Sequence, residues 1–136
     1  MNKLIIIFIF FSLISNAQSK KELKENNIKR VTTYNYITKF GKVYKLIDNY
    51  KEYNNKGYIT KEVEYNKEGK LKYIKKIYYN ENNKKIKEEL FDRNKKIEKV
   101  TTYEYENNLK ISKKVTDGKG AIISKKKYEY LKFESN

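Results

Sequence analysis

Two pairs of carboxylates stand two residues apart in this chain, Glu62 with Glu64 and Glu104 with Glu106. On an extended strand that spacing puts both members on one face. Two carboxyl groups facing each other across a pocket can hydrolyse a glycosidic bond. Lysines recur through the same segments, however, as in Lys61-Glu62-Val63-Glu64. On neighbouring strands they would satisfy these acids as cross-strand ion pairs. The pairs therefore read as a solvated face, and nothing in their spacing separates an acid from a base. The chain contains no His and no Cys. It lacks the side chain that exchanges protons near neutral pH, and with it the Ser-His and Cys-His nucleophile couples. Zinc and copper sites of the ordinary ligand types fall for the same reason. Asp117-Gly118-Lys119-Gly120 has the flavour of a calcium loop. It brings one carboxylate and a lysine where calcium takes six or more oxygens, so it reads as a turn. Gly118 and Gly120 open no helical pattern, which excludes a phosphate-binding loop. The expectation is a protein that is not an enzyme and holds no metal and no cofactor.

What remains is tyrosine set beside lysine. Lys72-Tyr73-Ile74-Lys75-Lys76-Ile77-Tyr78-Tyr79 and Lys125-Lys126-Lys127-Tyr128-Glu129-Tyr130 interleave the two types. Rings on a sheet surface stack bases or sugars, and ammonium groups neutralise their charges. The same residues also serve plain packing, with lysine stems draped over tyrosine rings. The candidate ligand-binding residues are Tyr73, Tyr78, Tyr79, Tyr128 and Tyr130 with Lys72, Lys76, Lys126 and Lys127. Tyr78 is the sharpest of them. Alternation puts it opposite Ile77 and Tyr79 and beside Ile74, where it would expose apolar surface to a partner. The formal net charge is +15, a value that attracts polyanions. Lysines interspersed with glutamates also keep sheet edges from aggregating.

The elements that carry these residues announce themselves as a repeat. EYNKEGKL at 64–71 returns as EYNNKGYI at 52–59, YYNENNKKI at 78–86, LFDRNKKI at 90–97 and YEYENNLKI at 103–111. An Asn or Asp side chain bonds the backbone two residues on and starts a turn. Gly, or less easily Asn, takes the positive φ where a type I turn closes with a bulge. Gly41, Gly57, Gly69, Asn83, Asn94, Asn108 and Gly120 mark the successive turns. Between them apolar residues alternate with period two, which marks half-buried strands. Ile59, Val63 and Tyr65 are expected on one face, a pattern that Leu71, Tyr73, Ile77 and Tyr79 repeat. The predicted strands span 29–38, 42–53, 58–65, 70–79, 84–91, 95–106, 109–116 and 121–133. No proline interrupts any of them. Val31-Thr32-Thr33-Tyr34-Asn35-Tyr36 and Val100-Thr101-Thr102-Tyr103-Glu104-Tyr105 are nearly the same hexapeptide. Such self-similarity signals stacked copies of one hairpin unit. The fold class is all-β: an antiparallel meander of about eight strands, either an open twisted sheet or a partly closed barrel. Lys61 and Lys75 intrude on the apolar pattern and favour the open form, because small barrels are tightly filled.

Tyr65-Asn66-x-x-Gly69-Lys70-Leu71, Tyr53-Asn54-x-x-Gly57-Tyr58-Ile59 and Phe91-Asp92 resemble the Tyr-Asp-x-x-Gly-x-Leu units of YD-repeat (RHS-like) extracellular proteins. They are also similar to the Gly-Lys-containing hairpins of MORN-like repeat proteins. The similarity covers most of 30–131, with Asn mostly in place of Asp and several Gly positions held by Asn. The resemblance implies a run of hairpins forming a wall or binding surface, usually without catalysis. It also opens an alternative to ligand binding, a protein-interaction module of the immunity or antitoxin kind found among MORN-like proteins.

The first seventeen residues are a different object. Lys3 supplies a positive start, LIIIFIFFSLI an apolar run, and Ser15-Asn16-Ala17 the small residues before a cut between Ala17 and Gln18. That is the layout of a secretory signal peptide. The apolar run is far shorter than the roughly 20 residues of a membrane-spanning helix. No transmembrane segment is expected after signal removal, and the absence of cysteine removes lipid anchoring. The division is signal peptide 1–17, a flexible or short helical lead-in 18–28, and a β-hairpin repeat domain 29–136. The expected location is secreted, periplasmic or on the outer surface. The expected partner is an envelope or extracellular component, an acidic polysaccharide or a protein. Export disfavours nucleic acid.

Overall fold

The computed structural model describes residues 19–133, so the expected signal peptide 1–17 and the expected cut between Ala17 and Gln18 lie outside the described residues. A short helix, α1 (Lys20–Glu25), precedes β1 (Arg30–Lys39), β2 (Lys42–Tyr53), β3 (Ile59–Tyr65), β4 (Leu71–Tyr79), β5 (Lys85–Phe91), β6 (Ile97–Glu106), β7 (Leu109–Asp117) and β8 (Ile122–Lys127). The strands form one antiparallel sheet in sequence order, β1 to β8. Since β1 and β8 are not paired with each other, the sheet is open and not a barrel. Each strand lies where alternation predicts it, except that β8 stops at Lys127 instead of reaching 133. Its partner runs out: Tyr128 N–H donates to the carbonyl of Ile111, and β7 begins only two residues earlier.

The turns follow two designs. Five begin with an Asx residue: Asn54, Asn66, Asn80, Asp92 and Asp117. In each, the Asx N–H donates to the carbonyl four residues on, and its own carbonyl accepts from the N–H three residues on. The Asx Oδ1 also accepts the N–H four residues on, from Tyr58, Lys70, Lys84, Lys96 and Ala121. The fourth turn residue has positive φ: Gly57, Gly69, Asn83, Lys95 and Gly120. In the Asp92 turn this position is Lys95, not Asn94 as the sequence suggests. The other two turns, Phe40-Gly41 and Asn107-Asn108, are two-residue loops with both φ values positive. That is the hairpin geometry matching strand twist, not the bulge-closed type I turn expected at Gly41 and Asn108. They join the two strand pairs that begin with the near-identical hexapeptides.

Every Asx turn is followed by a β-bulge. The register shifts between Glu52 and Tyr53, Glu64 and Tyr65, Tyr78 and Tyr79, Leu90 and Phe91, and Val115 and Thr116. Each shift leaves one residue of the following strand unpaired and exchanges the faces beyond it. The predicted single apolar face is therefore wrong. Val63 pairs with Tyr50 and Ile74, and Ile74 with Phe91. Ile77, Tyr73 and Tyr79 lie on the opposite face, and Ile59 is separated from Val63 by the bulge. Both faces thus carry apolar rows. Val63 is 2% exposed on one and Ile77 7% exposed on the other. A single layer has no second sheet to cover it, so side-chain stems and ring edges must do so.

The lead-in folds as a docked helix. Ser19 caps it reciprocally: its hydroxyl accepts Glu22 N–H, and the Glu22 carboxylate accepts Ser19 N–H. Leu23 is buried. Lys20 lies over the Tyr58 ring at 4.1 Å and donates to its hydroxyl. A Cβ on Gly57 would come within 2.5 Å of the Lys20 carbonyl oxygen, so this glycine lets the helix rest on the turn.

Candidate functional site

Across β2 to β5 the two faces handle charge in opposite ways. On the face of Tyr73 and Ile77, Glu62 stands between Lys51 and Lys75 in the ladder. It binds both, at 3.6 and 3.2 Å. Across β2 to β5 signs alternate, and Lys51, Lys75 and Lys85 each reach an acid. Farther along this face Lys113 stands directly opposite Lys126, and among the described residues neither has a carboxylate within ion-pair distance. Glu64 takes Lys72 at 2.6 Å, and Lys72 first, then Tyr73, hold its carboxyl below the usual range. The hydrogen bond to Glu64, followed by burial, pushes the Tyr73 phenol up to about 12. Glu88 accepts from Lys85 and Tyr103 at 2.8 and 2.6 Å. Burial would raise its pKa, but these bonds outweigh burial and leave it lowered. The Glu62–Glu64 pair is thus neutralised by lysines, as a solvated face would be.

On the other face the row reads Glu52, Lys61, Lys76, Glu89 across β2 to β5. Two lysines stand directly opposite each other, an arrangement that destabilises a sheet. The acids at the ends are drawn outward. Glu52 binds Arg30 at 2.5 Å and reaches Lys61 only at 4.0 Å. Glu89 binds Lys87 at 2.6 Å and accepts from the Tyr78 hydroxyl. Among the described residues, neither Lys76 nor Lys95 has a carboxylate within ion-pair distance. Beside the lysine pair lies a groove of about 610 Å³. Val63, Ile74, Leu71 and Phe91 line it, with Lys61, Lys76 and Lys95 among its cations. Lys76 lies over the Phe91 ring at 5.1 Å. Arg30 and Lys61 lie over Tyr50 at 4.6 and 5.5 Å. The rings hold cations in place where acids would otherwise be needed.

The sequence-derived candidates do not assemble into one site. Lys76 is in the groove. Tyr78 shares its face two residues on, exposed, with Lys87 over its ring at 5.5 Å. Tyr73 and Tyr79 lie on the opposite face, and Lys72 is the unpaired residue of a bulge, bound to Glu64. The Tyr79 ring packs at 5.2 Å from Tyr58. Lys126 and Lys127 are on β8, opposite Lys113 and Ser112. Tyr128 and Tyr130 follow them, and Tyr130 donates to the Lys110 carbonyl. Four strand spacings separate β8 from β4, roughly 19 Å at about 4.8 Å each. Lys95, Tyr50 and Phe91 were missed as site residues. Lys95 had a signal: aligned on the Asx residue, Asp92-Arg93-Asn94-Lys95 puts lysine where Asn66-Lys67-Glu68-Gly69 has glycine.

No protein-family model matches the chain, and a search of curated proteins found no match. Among the described residues no helix is long and apolar enough to cross a membrane.

Proposed function

We propose that this chain is an exported, non-catalytic hairpin-repeat module, of the YD-repeat or MORN-like kind, that binds an anionic partner in the envelope or outside the cell. The observation carrying this is the direct opposition of Lys61 and Lys76. Across β2 to β5 the sheet alternates charge on one face and juxtaposes like charges on the other, and β7 and β8 juxtapose Lys113 and Lys126 as well; an anion removes the cost of such pairs. The net charge of +15 acts in the same direction at long range. Electrostatic attachment of this kind weakens with salt. The test is binding to an acidic polysaccharide and to single-stranded DNA at two salt concentrations. Tighter binding at low salt that is lost in the double variant Tyr78→Ala, Lys76→Ala supports the reading. No binding at low salt sinks it.

The open sheet favours one second reading. β1 and β8 each present one unpaired edge, and Tyr36, Val43, Ile122 and Ile123 at the two ends are well exposed. An exposed edge accepts a strand from another protein, as an immunity or antitoxin-like module would. Capture of a protein partner that a proline in the middle of β1 abolishes, while polyanion binding is absent, would favour it.

A further inference from the structure

We propose that the face of β2 to β5 carrying Tyr50, Val63, Ile74 and Phe91 is the binding site for an acidic polysaccharide, with Lys61, Lys76 and Lys95 as its anion contacts. This rests on the polyanion reading above and names its site and ligand class. Three features converge on it.

The first is the charge row. Arg30 and Lys87 hold the flanking acids closely, Glu52 reaches Lys61 only at 4.0 Å, and the two central lysines face each other. The second is Lys95. Its φ is 62°, and three of the four sister turns place glycine at that position. A side chain there costs strain that glycine avoids, and strain of this kind collects at functional positions. Here the strained residue is a cation in the groove lining, together with Lys61 and Lys76. The third is the state of the rings. Lys76 covers Phe91, and Arg30 and Lys61 cover Tyr50. Bases bind single-strand sites by stacking on free aromatic faces. Rings already engaged by cations offer no such platform, which disfavours nucleic acid. The apolar lining from Val63, Leu71 and Ile74 instead suits the aliphatic C–H faces of sugar rings, while the ammonium groups take carboxylates carried by the chain.

The experiment titrates the chain from Gln18 onward with polygalacturonate, in parallel with single-stranded DNA at the same salt. Lys61→Gln with Lys76→Gln is expected to weaken polygalacturonate binding by about tenfold, a loss equal to about 1.4 kcal/mol. Lys113→Gln with Lys126→Gln removes the same charge from the other face and is expected to change it by less than about threefold. Lys95→Gly is expected to raise the melting temperature and still weaken binding, so loss of fold cannot explain the result. Equal losses in the two double variants would overturn the site while leaving polyanion binding intact. Unchanged binding in Lys95→Gly would remove Lys95 from it. Stronger binding to DNA than to polygalacturonate would overturn the ligand class. Failure of the unaltered chain to bind any polyanion would overturn the reading beneath both.

Discussion

The hydroxyl of Tyr79 donates to the carbonyl oxygen of Ile59, twenty residues earlier, at 2.8 Å. Tyr105 makes the same bond to Lys85 and Tyr130 to Lys110, each again across twenty residues. In every case a tyrosine at the end of one strand, or for Tyr130 three residues past the end of β8, ties down the first residues of its neighbour. The bond closes the open end of a hairpin, as the Asx turn closes the other. Tyr79→Phe and Tyr105→Phe should therefore each cost about 1 kcal/mol, the net worth of one hydrogen bond. Tyr130→Phe should cost less, because Tyr130 is exposed. Urea unfolding of the three variants measures this, and an unchanged midpoint for Tyr79→Phe would refute the closing role.

Glycines divide by what surrounds them. A Cβ on Gly118 would come within 1.9 Å of the Ile97 carbonyl oxygen, whereas one on Gly41 meets nothing within 4 Å. Gly41→Ala then carries only the strain of its positive φ, about 1 kcal/mol. Gly118→Ala must push the Asp117 turn away from β6 and should cost at least twice as much, about 2 kcal/mol or more. Thermal unfolding of the pair tests the ordering, and a smaller loss for Gly118→Ala would contradict it.

Stability and binding should part company at the lysine row. Lys76→Gln removes the like charge opposite Lys61 without setting an acid opposite Glu89. Such cross-strand pairs are worth roughly 0.2–1 kcal/mol. Lys95→Gly should add about 1 kcal/mol by relieving its positive φ. Both variants should melt higher than the parent and bind polyanions less well. Denaturation midpoints below the parent would show that the lysines are structural.

The pH dependence follows from the carboxylates. Lys72 and then Tyr73 lower Glu64, while Lys87 lowers Glu89 against an opposing effect of burial. For Glu88, burial is outweighed by Lys85 and Tyr103. Groups whose folded pKa is lowered contribute stability that is present above the ordinary value of 4.5 and lost as the pH falls below it. Tyr73 works in the opposite sense. Its folded pKa is raised from 10.0 to about 12, so its contribution is present below pH 10 and lost as the pH rises toward 12. Melting temperature should fall at both ends and change little between them. Glu88→Gln should blunt the acid limb; an undiminished acid limb would exclude Glu88 as a source.

Much of this architecture is legible in the residues, and the failures share a cause. Strands appear because Ile, Val and Tyr alternate with Lys and Glu, and turns because Asn or Asp recurs before Gly. Alternation counts residues, however, and a bulge adds one without a mark in the composition. Ile59 and Val63 look like face-mates until the extra residue after the Asn54 turn separates them. Tyr73 and Lys76 look like one patch along the strand and lie on opposite faces. The lysine row is formed by residues from four strands, so only the register brings Lys61 to Lys76. Tyr79 looks like a ligand-binding residue because an aromatic beside lysines has that composition; its ring packs on Tyr58 instead.

The most direct test is an amide chemical-shift map of the isotopically labelled chain titrated with polygalacturonate at low salt. Shifts concentrated at Lys61, Val63, Ile74, Lys76, Phe91 and Lys95, and reversed by added salt, are the predicted result. Shifts centred on Lys113, Lys126 and Tyr130, or no shifts at saturating polymer, would contradict it.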